Sequence, residues 1–232
     1  MGAHWLTYFL AIKLSTVAIG IIALYTFPVF TLCLEPFILK ERINILSIII
    51  AILIFGSMTA LIPEWNWTNT TNQGLFWGTI SAILYAVRTI FSRKFITKYS
   101  GTLQMGYQTL VSTLVLLPLV LLSTNITLDT LRTIQTMDIV NIILLSTLFT
   151  ALAHSLFLST LTSLSAGVAG VITTLEPVIA ILLAFLILNE VPSPHTMVIG
   201  GIILTLVFIQ TTIQQKKLNY QMVKDKIRKF MG

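Results

Sequence analysis

The sequence is poor in charged residues and holds a single cysteine. Charged residues make up 9% of its 232 residues, hydrophobic residues make up 56%, and the mean hydropathy is +0.92. Because soluble domains carry about 25% charged residues, this composition excludes an ordinary water-soluble fold. Cys33 has no second cysteine to pair with, which excludes an internal disulfide framework and a thiolate metal site. The composition therefore indicates an integral membrane protein.

Short catalytic and nucleotide-binding motifs are also missing. The chain contains no HExxH, CxxC, Walker or nucleophile-elbow sequence. Its formal net charge is +6, but the basic residues lie mostly between and after apolar runs, where they are topology signals rather than a nucleic-acid surface. We therefore expect no enzyme activity, no cofactor, no metal and no nucleic-acid partner.

Long apolar runs dominate what remains and predict an all-α, polytopic membrane protein with about eight transmembrane helices. The first run is shorter than the roughly 20 residues that a spanning helix needs. The runs are Trp5–Ile12, Thr16–Leu39, Ile43–Ile62, Gly74–Ser92, Leu103–Leu122, Ile139–Leu161, Ser165–Glu190 and Met197–Thr211.

The run from Ser165 to Glu190 differs from the others because it carries a carboxylate, Glu176, near its middle. An ionisable group at that depth is energetically costly and by default indicates function. Pro177 follows directly and has no backbone N–H, so the carbonyl of Thr173 loses its helical donor and a kink or opened turn is favoured. A charge and a freed carbonyl coincide at mid-membrane, which predicts a binding site.

An internal repeat appears when the second run is laid on the seventh at a shift of 149 residues. Pro28 then falls on Pro177, and Glu41 falls on Glu190. Because four runs lie between the two copies, the copies cross the membrane in opposite directions, as in transporters with inverted repeats. The runs Gly74–Ser92 and Leu103–Leu122 have no partner, which predicts about 75 further residues and two helices ahead of residue 1.

Several stretches resemble the EamA-type members of the drug/metabolite transporter superfamily. They are YTFPVF (25–30) with LKERI (39–43), GTISAILYAVRTIFSRK (78–94), and LEPV (175–178) with LNEVPS (188–193). The resemblance implies ten helices in two inverted five-helix repeats, no cofactor, and transport of small metabolites, amino acids or drugs. This chain begins at what resembles the third helix, so the expected fold is an inverted-repeat transporter truncated from ten helices.

The resemblance also divides the chain. Residues 1–62 are the remainder of the first repeat with three helices, residues 63–73 are an external loop, residues 74–213 are the second five-helix repeat, and residues 214–232 are a basic cytoplasmic tail. The expected location is the cell (inner or plasma) membrane. The expected partners are a small-molecule substrate, the lipid bilayer and, as one option, a second copy of the chain.

The candidate substrate-binding residues are Glu176, Thr173, Tyr85, Gln108 and His154. Each also has a structural interpretation. Glu176 fits a neutral carboxyl hydrogen-bonded to a neighbouring helix, His154 fits a packed histidine, and Tyr85 fits an interfacial or core aromatic.

A second group is assigned to structure or gating. Glu35 lies near a span end, where an ion pair with Lys40 or Arg42 is enough to explain its presence. Arg88 is close enough to a basic cluster to extend its charge to the interface. The whole group is Pro28, Pro177, Glu35, Glu41, Glu190 and Arg88.

Two classes of function remain open. The first is a secondary transporter working by alternating access across the cytoplasmic membrane, with export as the expected direction. The second is a transport-inactive membrane fragment, or an assembly partner that needs the missing helices from another chain.

Charge counting predicts the orientation of the chain. With the turn after Leu39 inside, eleven basic residues lie on the cytoplasmic side and two lie opposite, Arg88 within a span being omitted. Reporter fusions at Gln73 and Gly232 should therefore report opposite sides, external for Gln73 and cytoplasmic for Gly232. Finding both reporters on one side contradicts the orientation and the inverted repeat together.

Overall fold

The structure is a computed structural model that describes residues 1–39, 45–62, 64, 66–95, 101–123, 132–153 and 166–231. Within that part of the chain the secondary structure is helical, without strands. The helices are α1 Gly2–Leu14, α2 Val17–Leu24, α3 Phe27–Leu39, α4 Ile45–Ala60, α5 Thr70–Phe95, α6 Gly101–Ser123, α7 Thr136–Ser146, α8 Ala166–Leu188 and α9 Pro194–Met231. A π-helical segment, Thr147–Leu152, continues α7. The all-α expectation is confirmed.

Several helices have the length and apolar composition of membrane spans. In the described residues these are Val17–Ile38, Thr70–Phe91 and Pro194–Ile213, and shorter apolar helices cover Ile48–Ala60, Thr136–Leu152 and Leu175–Leu188. Large apolar side chains are exposed along them, as at Leu182, Leu186 and Ile187, which suits a hydrocarbon environment rather than water. The chain is a multi-pass membrane protein.

The span predicted at Thr16–Leu39 is built from two helices, α2 and α3, with a break at Tyr25 and Thr26. Pro28 lies in the first turn of α3, where the missing N–H of proline would have no helical partner anyway. In the other copy of the predicted repeat, α8 runs through Pro177 as one helix. The opened turn therefore lies beside Pro28, whereas Pro177 is accommodated within its helix.

The described chain divides into two compact units. One contains residues 3–94 and 166–232, and the other contains residues 95–165. In the first unit α9 packs on α4, α8, α2 and α3, and α8 also packs on α2. The core between these helices is aliphatic and includes Ile22, Ile54 and Ile203, each at most 1% exposed.

Helix α5 lies close to α1 and α2 because small residues face it. A Cβ atom placed on Gly78 would come within 2.6 Å of the Cβ of Ala23, and one on Gly74 would collide with the side chain of Ser15. Small residues at such spacings let helices approach closely, and van der Waals contact then holds them together in the membrane. The face of α5 that carries Gly74 and Gly78 is therefore a packing surface.

The second unit contains α6, α7 and the π-helical segment. The carboxylate of Asp138 accepts a hydrogen bond from the backbone N–H of Gln135 at 2.9 Å, which satisfies a donor at the start of α7. The π-helical segment interrupts the α-helical pattern at Thr147–Leu152; such segments are rare and often occur at functional sites. His154 comes shortly after it, outside the described residues.

Helix α9 extends beyond the predicted end of its span at Thr211 and continues to Met231. The residues from 212 to 231 contain no glycine or proline and are rich in Gln and Lys, which favour helix. The basic tail is thus a helical continuation of the last span.

The close approach of α5 predicts a size limit at Gly78. Replacing it in Gly78→Ala should lower the free energy of unfolding by about 1–3 kcal/mol, because the new methyl group overlaps Ala23. Thermal unfolding of the purified protein in detergent measures the effect. The control is Gly56→Ala, since a Cβ there meets nothing within 4 Å. Equal melting temperatures for the two variants would contradict the packing.

Candidate functional site

Glu176 lies in the middle of α8, ten residues after its first residue, Ala166. Its side chain is exposed, whereas Pro177 beside it is fully buried. The carboxylate thus sits on an open face of the helix at mid-span. An ionisable group at this depth faces a polar partner or a water-filled cavity, because hydrocarbon cannot solvate it.

One partner of Glu176 is Tyr25, which lies in the break between α2 and α3. The side chains of Tyr25 and Glu176 are hydrogen-bonded, with the phenol as donor to the carboxylate, and Tyr25 is 7% exposed. Tyr8 of α1 lies within electrostatic range of the same carboxylate. Hydrogen bonds to a charged acceptor are stronger than neutral ones, so Tyr25 fixes one side of the carboxylate and leaves the other accessible.

A third tyrosine, Tyr85 of α5, joins the aromatic side of the site. Its ring centroid lies 4.6 Å from the ring of Phe27 in an edge-to-face arrangement. The guanidinium carbon of Arg88 lies 5.3 Å from the Tyr85 centroid, and the two side chains are also hydrogen-bonded. The charges of Arg88 and Glu176 both act on the Tyr85 phenol.

The Tyr85 ring is backed by a buried histidine. The centroid of the His4 ring lies 4.8 Å from that of Tyr85. His4 is 4% exposed, and its Nδ1 is 2.7 Å from the hydroxyl of Ser81, which in turn donates to the carbonyl of His4 at 2.9 Å. These two hydrogen bonds join α1 to α5. They hold in place the neighbouring rings of His4 and Tyr85, which we call the aromatic wall.

The predicted site residues are not all brought together. Tyr85 and Glu176 share one cluster, and Arg88, assigned from sequence to structure, contacts Tyr85. Gln108 lies in α6 of the second unit, where its backbone carbonyl accepts a hydrogen bond from Ser112 at 2.6 Å. The side chains of Thr173 and Glu35, and all of Glu41 and His154, lie outside the described residues. For those four residues and for Gln108, a role at the site stays a prediction.

Glu190 has a defined contact at the far end of α8. Its carboxylate accepts a hydrogen bond from the backbone N–H of Val17 at 2.7 Å, while Thr16 caps the same helix by accepting from Ile19 at 3.1 Å. The first N–H groups of a helix lack internal partners, and a negative charge there is favourable by about 0.3–1 kcal/mol. Glu190 therefore ties the loop after α8 to the start of α2.

Sequence reasoning did not single out His4, Tyr8 or Tyr25. His4 and Tyr8 are four residues apart and so lie on one face of α1, which was the available signal. Tyr25 opens the YTFPVF stretch, where Pro28 drew attention instead. Among the described residues no group of three or more His, Cys, Asp or Glu side chains is arranged to hold a metal ion.

This helical arrangement, with a carboxylate in the middle of an apolar helix, is that of a polytopic membrane protein. The profile of the EamA-like transporter family matches residues 1–62 and 72–212. The chain therefore belongs to the EamA-like transporter family.

A curated relative is described as the uncharacterized transporter YxxF of Bacillus subtilis (strain 168). It is 25% identical over 215 residues, which cover 88% of this chain and 66% of the relative. This chain thus spans just under two thirds of the length of that relative. No solved structure shows a significant match.

Proposed function

We propose that the protein is a secondary transporter of small cationic or zwitterionic metabolites, with Glu176 as the carboxylate that binds the substrate. The observation that carries this proposal is the placement of Glu176: exposed, at mid-span, and hydrogen-bonded to Tyr25 on one side. Membership in the EamA-like transporter family supports transport as the activity.

The chemistry of the cluster favours a substrate with an ammonium group. A carboxylate pairs with an ammonium by charge, and tyrosine rings attract cations through their faces. The position of Arg88, whose guanidinium carbon lies 5.3 Å from the Tyr85 ring centroid, supports the view that this ring suits a cation. For an amino acid, Glu176 would bind the ammonium group and Arg88 the carboxylate, so both charges of the zwitterion would be paired.

We propose that transport is coupled to protons, because the Glu176 carboxylate would bind either a proton or the substrate cation, but not both at once. In the empty state Glu176 takes up a proton, and in the loaded state the cation replaces it. In the protonated state the Glu176 carboxyl donates its proton to the Tyr25 hydroxyl oxygen. In the loaded state the Tyr25 hydroxyl donates to the Glu176 carboxylate. Substrate and proton then move in opposite directions.

Alternating access requires an element that bends near the site. The break at Tyr25 and Thr26 supports a bending element beside the carboxylate, because Tyr25 lies in the break and is also the partner of Glu176. The change of the Tyr25 hydroxyl from acceptor to donor when substrate replaces the proton would alter the position of α3 relative to α2. We propose export as the net direction, with the end of α9 in the cytoplasm.

The test uses purified protein in liposomes that enclose a pH-sensitive dye. Amino acids and organic amines are added one at a time, and proton flux is read from the dye. The protein should show flux with at least one compound, and Glu176→Gln should lower that flux by about tenfold or more, because the neutral amide cannot exchange a proton.

The matched control is Glu64→Gln, which changes an exposed carboxylate in the loop before α5 and should retain full flux. Tyr25→Phe should reduce flux while preserving insertion and melting temperature. Wild-type flux and wild-type pH dependence in Glu176→Gln would remove Glu176 from the mechanism. Absence of flux with every compound would contradict transport by this chain.

A further inference from the structure

Helix α2 is a short segment with a break in the helical structure at each of its ends. It has eight residues, of which residues 18–23 are buried. Residues 15 and 16 separate it from α1, and residues 25 and 26 separate it from α3. Hinges in proteins consist of a few residues at the ends of elements, where φ and ψ change. Helix α2 therefore has the arrangement of a rigid piece between two hinges.

A carboxylate from α8 or from the turn that ends it lies at each end of α2. At the C-terminal end of α2, Glu176 is hydrogen-bonded to Tyr25. At the N-terminal end, the carboxylate of Glu190 accepts a hydrogen bond from the backbone N–H of Val17 at 2.7 Å. The two helices also pack directly on each other. Because both hydrogen bonds join the same two elements, a displacement of α2 from α8 affects both of them.

The bond at the N-terminal end completes the cap of α2. Val17 is the first residue of the helix, and the N–H of a first residue has no acceptor within its own helix. The hydroxyl oxygen of Thr16 accepts from the N–H of Ile19 instead. Glu190 therefore supplies an acceptor that the helix lacks. A hydrogen bond to a charged group changes an equilibrium constant by about tenfold or more, which is comparable to the difference between two conformations of one protein.

The turn after α8 holds Glu190 in position for this contact. Asn189 has a φ of 54°, the left-handed conformation that ends many helices and that asparagine tolerates. The N–H of Glu190 donates to the carbonyl of Ala184 at 3.2 Å, so the backbone of Glu190 is attached to the last turns of α8. Its carboxylate moves with α8. A separation of α8 from α2 at this end must therefore break the bond to Val17.

We infer that Glu190 is a latch that closes the external end of the transport path. Its bond to Val17 keeps α2 against α8 at the end that charge counting places outside the cell, and the bond is released when this end opens. The inference rests on the proposed function, because alternating access requires that one end of the path be closed while the other is open. Substrate at Glu176 and the latch at Glu190 then act on the two ends of one helix.

The first test measures the distance across the latch by pulsed electron paramagnetic resonance. Spin labels are attached at Lys13→Cys and Val191→Cys, both exposed positions, in a protein whose native thiol is removed by Cys33→Ser. A short distance should dominate. Glu190→Ala should raise the ratio of a longer distance to the short one by about tenfold or more. Glu190→Gln should raise it less, because the neutral amide keeps an acceptor without the charge.

Val17→Pro removes the donor and preserves the start of the helix. Proline lacks the N–H and suits the first helical position. Thr16 already has the extended backbone that a residue before proline adopts, with φ −141° and ψ 159°. Val17→Pro should raise the longer distance as Glu190→Ala does, and the double variant should add nothing, because both changes remove one bond. The controls Val17→Ala, which keeps the N–H, and Glu64→Ala, in the loop before α5, should retain the wild-type distribution.

The second test closes the latch covalently. In liposomes, a cleavable bifunctional thiol reagent that joins the cysteines of Lys13→Cys and Val191→Cys should stop proton flux. Cleavage of the reagent by a reducing agent should restore the flux. Modification of the same cysteines with a reagent that carries one reactive group is the control and should leave the flux intact.

An unchanged distance distribution in Glu190→Ala and Val17→Pro overturns the latch, as does full flux after complete cross-linking. If those two variants do not fold, the cross-link decides, since it needs only substitutions at exposed positions. The distances also separate the latch from the proposed function. Two distances without flux contradict transport by this chain and support the latch, whereas flux with a single distance in every variant contradicts the latch alone.

Discussion

The energetic cost of a carboxylate inside an apolar helix is the constraint on which the site depends. Glu176 lies at the centre of α8, where only protein groups or trapped water can satisfy it. Its hydrogen bond to Tyr25 connects α8 to the break between α2 and α3. That bond links the two copies of the proposed repeat at the level of the charge. A ligand that competes for the carboxylate therefore acts on the one place where the α2–α3 span is not a continuous helix.

Close packing on the other side of the cluster keeps the aromatic wall in position. The glycines of α5 allow contact with α1 and α2, and the His4–Ser81 pair adds specific hydrogen bonds to that contact. In hydrocarbon there is little hydrophobic drive for helices to associate, so close van der Waals contact and interhelical hydrogen bonds must do it. Tyr85 and Arg88 both lie on α5, so the packing of α5 also determines their positions.

The helices themselves were predictable, because long apolar runs between polar loops have few alternatives in a membrane. The position of Glu176 in the middle of a helix was predictable for the same reason, since this carboxylate lies within a long apolar run. The partners of Glu176 were not, because Tyr25 and Tyr8 are ordinary residues of membrane helices and only the packing of α1, α2 and α8 brings them to the carboxylate. Glu190 was assigned to structure or gating, but its partner, Val17, is 173 residues away in sequence, and no local pattern could have identified it.

The extent of α9 and the break near Pro28 could not be predicted from local signals alone. Polar composition after Thr211 indicated the end of a span, which agrees with the apolar segment Pro194–Ile213, and helix propensity carries the helix itself on to Met231. Of the two aligned prolines, Pro177 follows the charge and suggested the opened turn, whereas the helix breaks beside Pro28. The predicted repeat aligns the two prolines, but the alignment does not tell which of the two helices opens beside its proline.

If Glu176 is an accessible, exchangeable carboxyl at mid-span, as we propose, it should react with a hydrophobic carbodiimide. Carbodiimides modify protonated carboxyl groups within the membrane, and the modified residue is located by mass spectrometry of peptides. We expect Glu176 to react before Glu190, whose carboxylate accepts a hydrogen bond from Val17, and we expect the reaction to stop proton flux in liposomes. Reaction at Glu190 with Glu176 untouched, or full flux after complete modification of Glu176, would contradict this proposal.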